Sequence, residues 1–312
     1  MSISPKISII CSSYNSGNTL EKSIGSLLNQ SFRDFELILI DDFSSDNSRE
    51  IIKKFEKGDK RIIAMYNEIN LGISKTKNKA LKIARGKYIA ILDSDDFANV
   101  DRLKIQFDYL EKNKNIFLIG SSVNKVINGD KIYTLKRLNL PFFMINLCLV
   151  FGKVIFTHST IMFRNNNNFF YNENKSLAVD YDFYLNLLFK KKKMKNISDV
   201  LVDYTYISTS ESLTKPFLQE LECILSRNRF ILGKILKIKN FENSKFVDLD
   251  YLRKKYRKTE LKLIIRNNYR LGDICLGNEN LLIYIKKYKT IPIKFFILFV
   301  LHKFNSNLIR RI

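Results

Sequence analysis

The run Lys87-Tyr88-Ile89-Ala90-Ile91-Leu92-Asp93-Ser94-Asp95-Asp96 decides the reading of the chain. An apolar stretch of strand length ends in three carboxylates within four residues. Carboxylates at the end of a buried strand are costly unless they face something positive. A divalent cation holding a phosphate-bearing ligand fits such a cluster, because carboxylate oxygens suit Mg²⁺ or Mn²⁺. Helix capping and turn formation are the structural alternatives, but a cap needs one carboxylate rather than three.

Upstream of this run, strand and helix alternate. Residues 6–12 predict a buried strand, and 19–30 place Leu20, Ile24, Leu27 and Leu28 at helical spacing. Phe35-Glu36-Leu37-Ile38-Leu39-Ile40-Asp41-Asp42 predicts a second strand that also ends in carboxylates. A helix over 48–55, a strand over 61–66 and a helix over 74–84 follow, with Gly86 as the C-cap of the last. This rhythm predicts an α/β fold with a mostly parallel central sheet flanked by helices. Ligands of such sheets bind beyond the carboxyl ends of the strands, where Asp41, Asp42, Asp93, Asp95 and Asp96 all fall.

Downstream, the pattern predicts a helix over 101–110, a strand over 116–126 and a strand over 157–163, with 142–156 strongly apolar between them. A helix over 179–189 is led by Asp180 and Asp182 and followed by four lysines at 190–193. From about 218 the helical patterns lengthen, chiefly at 217–236 and 249–269. The expected organisation is a first domain over 1–215, with halves at about 1–126 and 127–215, and a helical basic extension over 216–312.

The 312 residues are 46% hydrophobic, enough for a sizeable core. The net charge of +22 raises a nucleic-acid partner, but residues 221–312 alone hold 21 basic and 7 acidic residues. These basic residues form no known nucleic-acid module, so no such partner is expected. Cys11, Cys148, Cys223 and Cys275 have neither zinc spacing nor a disulfide framework, which fits a reduced, cytoplasmic compartment. No signal peptide and no membrane-spanning run are expected. The apolar stretch 291–301, flanked by Lys286, Lys287, Lys289, Lys303, Arg310 and Arg311, reads as an interfacial segment. Contact with a membrane surface, self-association into a homo-oligomer and a solvated cap are all open for it.

Several short motifs occur in a telling order. They are Ile7-Ser8-Ile9-Ile10-Cys11-Ser12-Ser13-Tyr14-Asn15, then Gln30-Ser31-Phe32-Arg33-Asp34-Phe35-Glu36-Leu37-Ile38, then Asp41-Asp42-Phe43-Ser44-Ser45-Asp46-Asn47-Ser48. Asn70-Leu71-Gly72 with Asn78 and Ala80, the acidic run at 93–96, and Asp101-Arg102-Leu103 with Gln106 complete the series. Together they resemble the family 2 glycosyltransferases, an inverting group with the GT-A fold. The likeness is clear over 5–126 and looser to about 214. Family members usually carry Gly where this chain has Phe43.

The resemblance implies a nucleotide-sugar donor, most often a UDP-sugar. Its contacts would fall on Ser13, Tyr14, Asn15, Asp41, Asp42, Asn70, Gly72, Asn78, Asp93 and Ser94. Mn²⁺ or Mg²⁺ would be held by Asp95, with Asp96 beside it. An inverting transfer also needs a general base, and the resemblance places it at Asp180. The preceding residue, usually Glu, is Val179, and Asp182 matches a second acidic position. His158 would face the acceptor or a phosphate, with Asp182 on the same side. Tyr204, Tyr206 and Ile207 stand near where the family often has Arg and His. The implied acceptor is a glycan or lipid-linked glycan of surface-polysaccharide synthesis at the inner membrane face. With no Trp in the chain and no span, one sugar per acceptor is expected.

Structural alternatives stand beside these roles. Asp180 and Asp182 suit a helix first turn, His158 suits a hydrogen-bonded core position, and Tyr14 suits ordinary packing. Lys75, Lys77, Lys79 and Lys82 read first as a solvated helix face and second as partners of a diphosphate or an anionic acceptor. A nucleic-acid-binding protein and a catalytically degenerate sugar-nucleotide-binding scaffold are the rival functions.

Overall fold

The computed structural model describes residues 4–127, 130–150 and 153–206, together with 219, 222, 223, 226, 227 and 230. All belong to the unit Met1–Phe241. Gln219, Glu222 and Phe230 pack with it: Ala178 N donates to Gln219 Oε1 at 3.1 Å, Lys175 pairs with Glu222 at 2.6 Å, and Phe230 is buried. The patterns at 249–269 and 291–301, with the expected membrane contact, lie outside the described residues, as does most of 217–236.

The chain runs β1 (Ile7–Ser13), α1 (Leu20–Leu28), β2 (Phe35–Asp41), α2 (Ser48–Gly58), β3 (Ile62–Tyr66), α3 (Ile73–Ile83), β4 (Tyr88–Ile91) and β5 (Phe97–Ala98). It continues through α4 (Arg102–Lys112), β6 (Leu118–Ile127), β7 (Asp130–Leu135), α5 (Phe142–Val150), β8 (Met162–Arg164), α6 (Val179–Phe189) and β9 (Met194–Thr205). One sheet joins the strands in the order β3-β2-β1-β4-β8-β6-β9-β5, with β7 on β6. The first four strands are parallel, as expected. Beyond β4 the sheet is mixed. The pairs β4–β8, β6–β8, β6–β7 and β5–β9 are antiparallel, and β6–β9 is parallel.

Side chains alternate across the central strands, so each strand feeds two cores. Ile10, Ile38, Ile40, Ile89 and Ile91 pack with Ala80 and Leu81 of α3 and with Tyr181 and Phe183 of α6. Ile7, Ile9, Leu37, Leu39 and Ala90 pack with Leu20, Ile24 and Leu27 of α1, Ile52 of α2 and Leu103 of α4. Coverage on both faces is why β1 and β2 read as unbroken apolar runs.

Two local expectations are corrected. The stretch 157–163 is not one strand, because Thr157 O accepts from both Thr160 N (2.9 Å) and Thr160 Oγ1 (2.7 Å). Those bonds close a 3₁₀ turn over His158–Thr160, and only Met162–Arg164 pairs in the sheet. The apolar 142–156 contains helix α5. Gly86 is no helix cap: α3 gives way at Ala84, whose backbone is already extended.

Gly86 instead lets two backbones touch. A Cβ there would lie 2.3 Å from Ser8 N and 2.6 Å from the Ile7 carbonyl carbon, inside β1. Gly86→Ala is expected to destabilise the fold by about 1–3 kcal/mol or more, since a rigid strand cannot yield. A urea-unfolding midpoint equal to wild type would refute this.

Phe43 has a left-handed backbone, φ 66°. That explains the family's preference for Gly at this position, and a non-glycine residue there bears about 1–2 kcal/mol of strain. The Arg49 guanidinium 5.4 Å from the Phe43 ring offsets part of it.

Candidate active site

The order of β2, β1 and β4 reverses direction at β1, which opens a crevice at the carboxyl ends of these strands. Ser13 and Asp41 sit side by side there, paired across β1 and β2. Asp41 is fully buried, and its Oδ2 accepts from Arg49 Nε (2.6 Å) and Ser44 N (3.1 Å). Asp41 Oδ1 and Ser13 Oγ have no partner among the described residues. Asp42 is spent on the neighbouring loop: Oδ1 accepts from Leu71 N and Asn67 Nδ2, both at 2.8 Å, and Oδ2 from Gly72 N at 2.9 Å.

The other expected donor-side residues mostly shape loops. Asn70 Oδ1 accepts from Gly72 N, and Gly72 turns the chain into α3 at φ 80°. Asn15, at φ 48°, accepts from Ser45 N at 2.8 Å. Tyr14 is exposed. Ser94 Oγ shares a 2.7 Å hydrogen bond with Ser16 Oγ. Asn78 is engaged within the fold. Its amide is buried, donating to Tyr171 O (3.0 Å) and Glu173 Oε1 (2.9 Å) and accepting from Tyr171 N (2.8 Å), which clamps 171–173 to α3.

The acidic run divides into three roles. Asp93 Oδ1 accepts from Lys77 Nζ at 2.7 Å, and Oδ2 accepts from Ser159 Oγ at 2.9 Å. Burial pushes this carboxyl up, but Lys77 and the hydrogen bonds outweigh it and hold the pKa at about 2. Asp95, partly exposed, is pushed up to about 6 by burial and then by the Asp93 charge. Asp96 is fully buried, with Oδ1 accepting from Thr205 N at 2.7 Å and Oδ2 without a partner among the described residues. Burial, then Asp95, lifts it well above the carboxylate range. Asp96 therefore ties its loop to β9, which leaves Asp95 the more accessible of the two expected metal ligands.

Among the described residues, no three His, Cys, Asp or Glu side chains converge as a metal cage. The donor set instead fits a cation shared between Asp95 and phosphate oxygens, the usual form of a Mg²⁺ site on a phosphorylated substrate. Asp95 is the carboxylate whose ionisation such a cation would favour.

Lys77, Asp93, His158 and Asp180 line one cleft of about 420 Å³, together with Arg137 and Tyr204. Asp180 is the second residue of α6, and its Oδ1 accepts from Tyr181 N at 2.8 Å. Burial raises its pKa, with Asp93 adding to the effect and Lys77 opposing it. The helix starts abruptly because Ala178 is left-handed, φ 53°. Asp182 does not line the cleft. Two residues along a helix is a rotation of about 200°, which sets it on another face. His158 bonds Tyr184 Oη (3.0 Å) through Nδ1 and Tyr171 Oη (2.9 Å) through Nε2. Burial, then Lys77, lowers its pKa to about 3, so the imidazole is neutral and braces two tyrosines. Both ring nitrogens are thus engaged with side chains of the fold.

Residues 8–168 match the family model described as glycosyl transferase family 2. This chain belongs to that family. An uncharacterised glycosyltransferase of Methanocaldococcus jannaschii is 34% identical over 70% of this chain and 76% of its own length. The Escherichia coli enzyme WfaP, named as a UDP-Glc:α-D-GlcNAc-diphosphoundecaprenol β-1,3-glucosyltransferase, is 32% identical over 69% of this chain and 82% of its own. The first 349 residues of Staphylococcus aureus TarS with UDP-GlcNAc superpose at TM-score 0.60, with 22% identity, over 73% of this chain and 67% of that one. The fold is GT-A, and the protein is a glycosyltransferase.

Of two further cleft residues of this glycosyltransferase, one reads from sequence first as solvated and the other is not singled out. Lys77 is 1% exposed, whereas Lys75, Lys79 and Lys82 face solvent. Its spacing to Leu81 and Ala84 (i+4, i+7) is the signal that marks the buried face. Arg137 follows an exposed strand, and nothing in its neighbourhood of sequence singles it out.

Proposed function

We propose that this glycosyltransferase moves one sugar, with inversion, from a UDP-sugar to a hydroxyl of a glycan or lipid-linked glycan in surface-polysaccharide synthesis. The observation that carries the reading is Asp180, a half-buried carboxylate of raised pKa in the same cleft as Asp93 and Lys77. In an inverting displacement the acceptor oxygen attacks the anomeric carbon opposite the leaving diphosphate. The new C–O bond forms as the bond to the diphosphate oxygen breaks, and that oxygen takes the electron pair. The hydroxyl proton passes to Asp180, whose raised pKa makes it a better base.

On the donor side, Asp41 Oδ1 lacks a partner, and the imide N–H of uracil would supply one. A divalent cation bound at Asp95 would neutralise charge as the diphosphate leaves. Lys77 holds Asp93 ionised beside it. The uridine donor and the diphosphate-linked acceptor also accord with the TarS complex and with the WfaP activity.

The test is a donor screen on the full chain, following nucleotide released from UDP-, GDP-, CMP- and dTDP-sugars with Mn²⁺, Mg²⁺ or EDTA. Metal-dependent release of UDP is expected. Turnover of a different nucleotide sugar alone would overturn the uridine reading. A product with retained anomeric configuration would overturn inversion.

A further inference from the structure

We propose that Arg137, with Lys125 nearby, forms a subsite on the acceptor side of the cleft for a phosphate or diphosphate group carried by the acceptor. This rests on the transferase reading above. Arg137 lines the cleft with Asp180. Its Nη2 donates to Thr157 Oγ1 at 2.8 Å, and its backbone N donates to Ser122 Oγ at 2.9 Å. Nε is buried without a partner, and among the described residues no carboxylate pairs with the guanidinium. A half-buried guanidinium with one sealed, unpaired N–H is short of an acceptor. Its planar fork of donors matches phosphate in two-point contact.

The other cations of the cleft sharpen the contrast. Lys77 is already neutralised by Asp93. Lys125 also lines the cleft, 3.7 Å from the Tyr206 ring centroid, and again has no carboxylate partner among the described residues. The cleft is therefore balanced beside Asp93 and left positive toward β7. In the sheet, β7 hangs on β6, with β8 lying between β6 and β4. The expected nucleotide contacts gather at the ends of β1, β2 and β4. The unpaired charge thus sits away from the donor, where an acceptor enters.

The experiment titrates inorganic phosphate into the full chain at saturating UDP and Mg²⁺, read by ³¹P NMR, for wild type, Arg137→Gln and Arg137→Lys. Wild type should bind phosphate alongside UDP. Arg137→Gln should weaken phosphate at least about tenfold, as loss of a charged hydrogen-bonding partner does, with UDP affinity unchanged and Arg137→Lys between the two. The thermal midpoint of Arg137→Gln should stay close to that of wild type, because the half-buried guanidinium gives up no ion pair among the described residues. If Arg137→Gln does not fold, a phosphate affinity for Arg137→Lys below that of wild type supports the subsite by itself. Equal phosphate binding by all the folded proteins, or none by UDP-loaded wild type, overturns the subsite. Competition between phosphate and UDP assigns Arg137 to the donor diphosphate and also overturns it. Failure of wild type to bind UDP at all is a separate result that sinks the donor reading first.

Discussion

Asp180→Asn is expected to slow sugar transfer by about 10²- to 10⁴-fold, the range for losing a positioned general base, while UDP binding stays close to wild type. The substitution is isosteric. Tyr181 N can still donate to the side-chain oxygen it now meets at 2.8 Å, so the start of α6 is preserved. What disappears is the only atom pair in that side chain able to take a proton at neutral pH. In the wild type, transfer should fall as pH drops through the raised pKa of this carboxyl, and that limb should vanish in the variant. Stability gives an independent check with the opposite sign. Folding raises the Asp180 pKa by burial, so folding favours its neutral form. At neutral pH the ionised group opposes folding, and that penalty fades as pH falls through the raised pKa and is gone below the ordinary aspartate range. The Asn variant should therefore be at least as stable as wild type at pH 7, with no advantage in acid. A variant that keeps more than a tenth of the wild-type turnover would place the base elsewhere. A variant that loses UDP binding as well would make Asp180 a structural residue.

What the sequence discloses follows burial. Strands β1, β2 and β4 are covered on both faces, so their apolar runs are continuous in the chain, and those of β2 and β4 lead straight into carboxylates. Helix α6 is legible to the residue because its apolar stretch starts at Val179 and ends at the lysines. The mixed half of the sheet is harder to read. Its strand β8 is three residues long and is held by a 3₁₀ turn that no periodicity announces. Site residues show the same division. Asp93 and Asp180 announce themselves as acids at the ends of elements. Asp42, Asn78 and His158 have the right residue types, yet their polar atoms are consumed inside the fold. Sequence gives a residue's capacity to bond, and only packing tells which bonds are already made. Arg137 is the converse case: its use depends on partners it lacks.

The same distinction separates Asp95 from Asp96, adjacent in sequence and alike in chemistry. Asp95→Ala should abolish the tightening of UDP binding by Mn²⁺ or Mg²⁺, whereas Asp96→Asn should retain it. Asp95 is partly exposed and carries its charge against that of Asp93, so a cation beside it relieves a repulsion already present. Asp96 has its Oδ1 committed to Thr205 N, and its Oδ2 is sealed from solvent, so neither oxygen is available without unpicking the tie between β5 and β9. Because burial favours the protonated form of Asp96, Asn is a close neutral substitute, and Thr205 N keeps an acceptor. Calorimetric titration of UDP into each variant, with metal and with EDTA, reads the difference directly. For wild type and Asp96→Asn the two titrations should differ, and for Asp95→Ala they should coincide. A metal effect that survives Asp95→Ala and disappears in Asp96→Asn would mean that the loop opens on donor binding and that the buried carboxylate is the ligand.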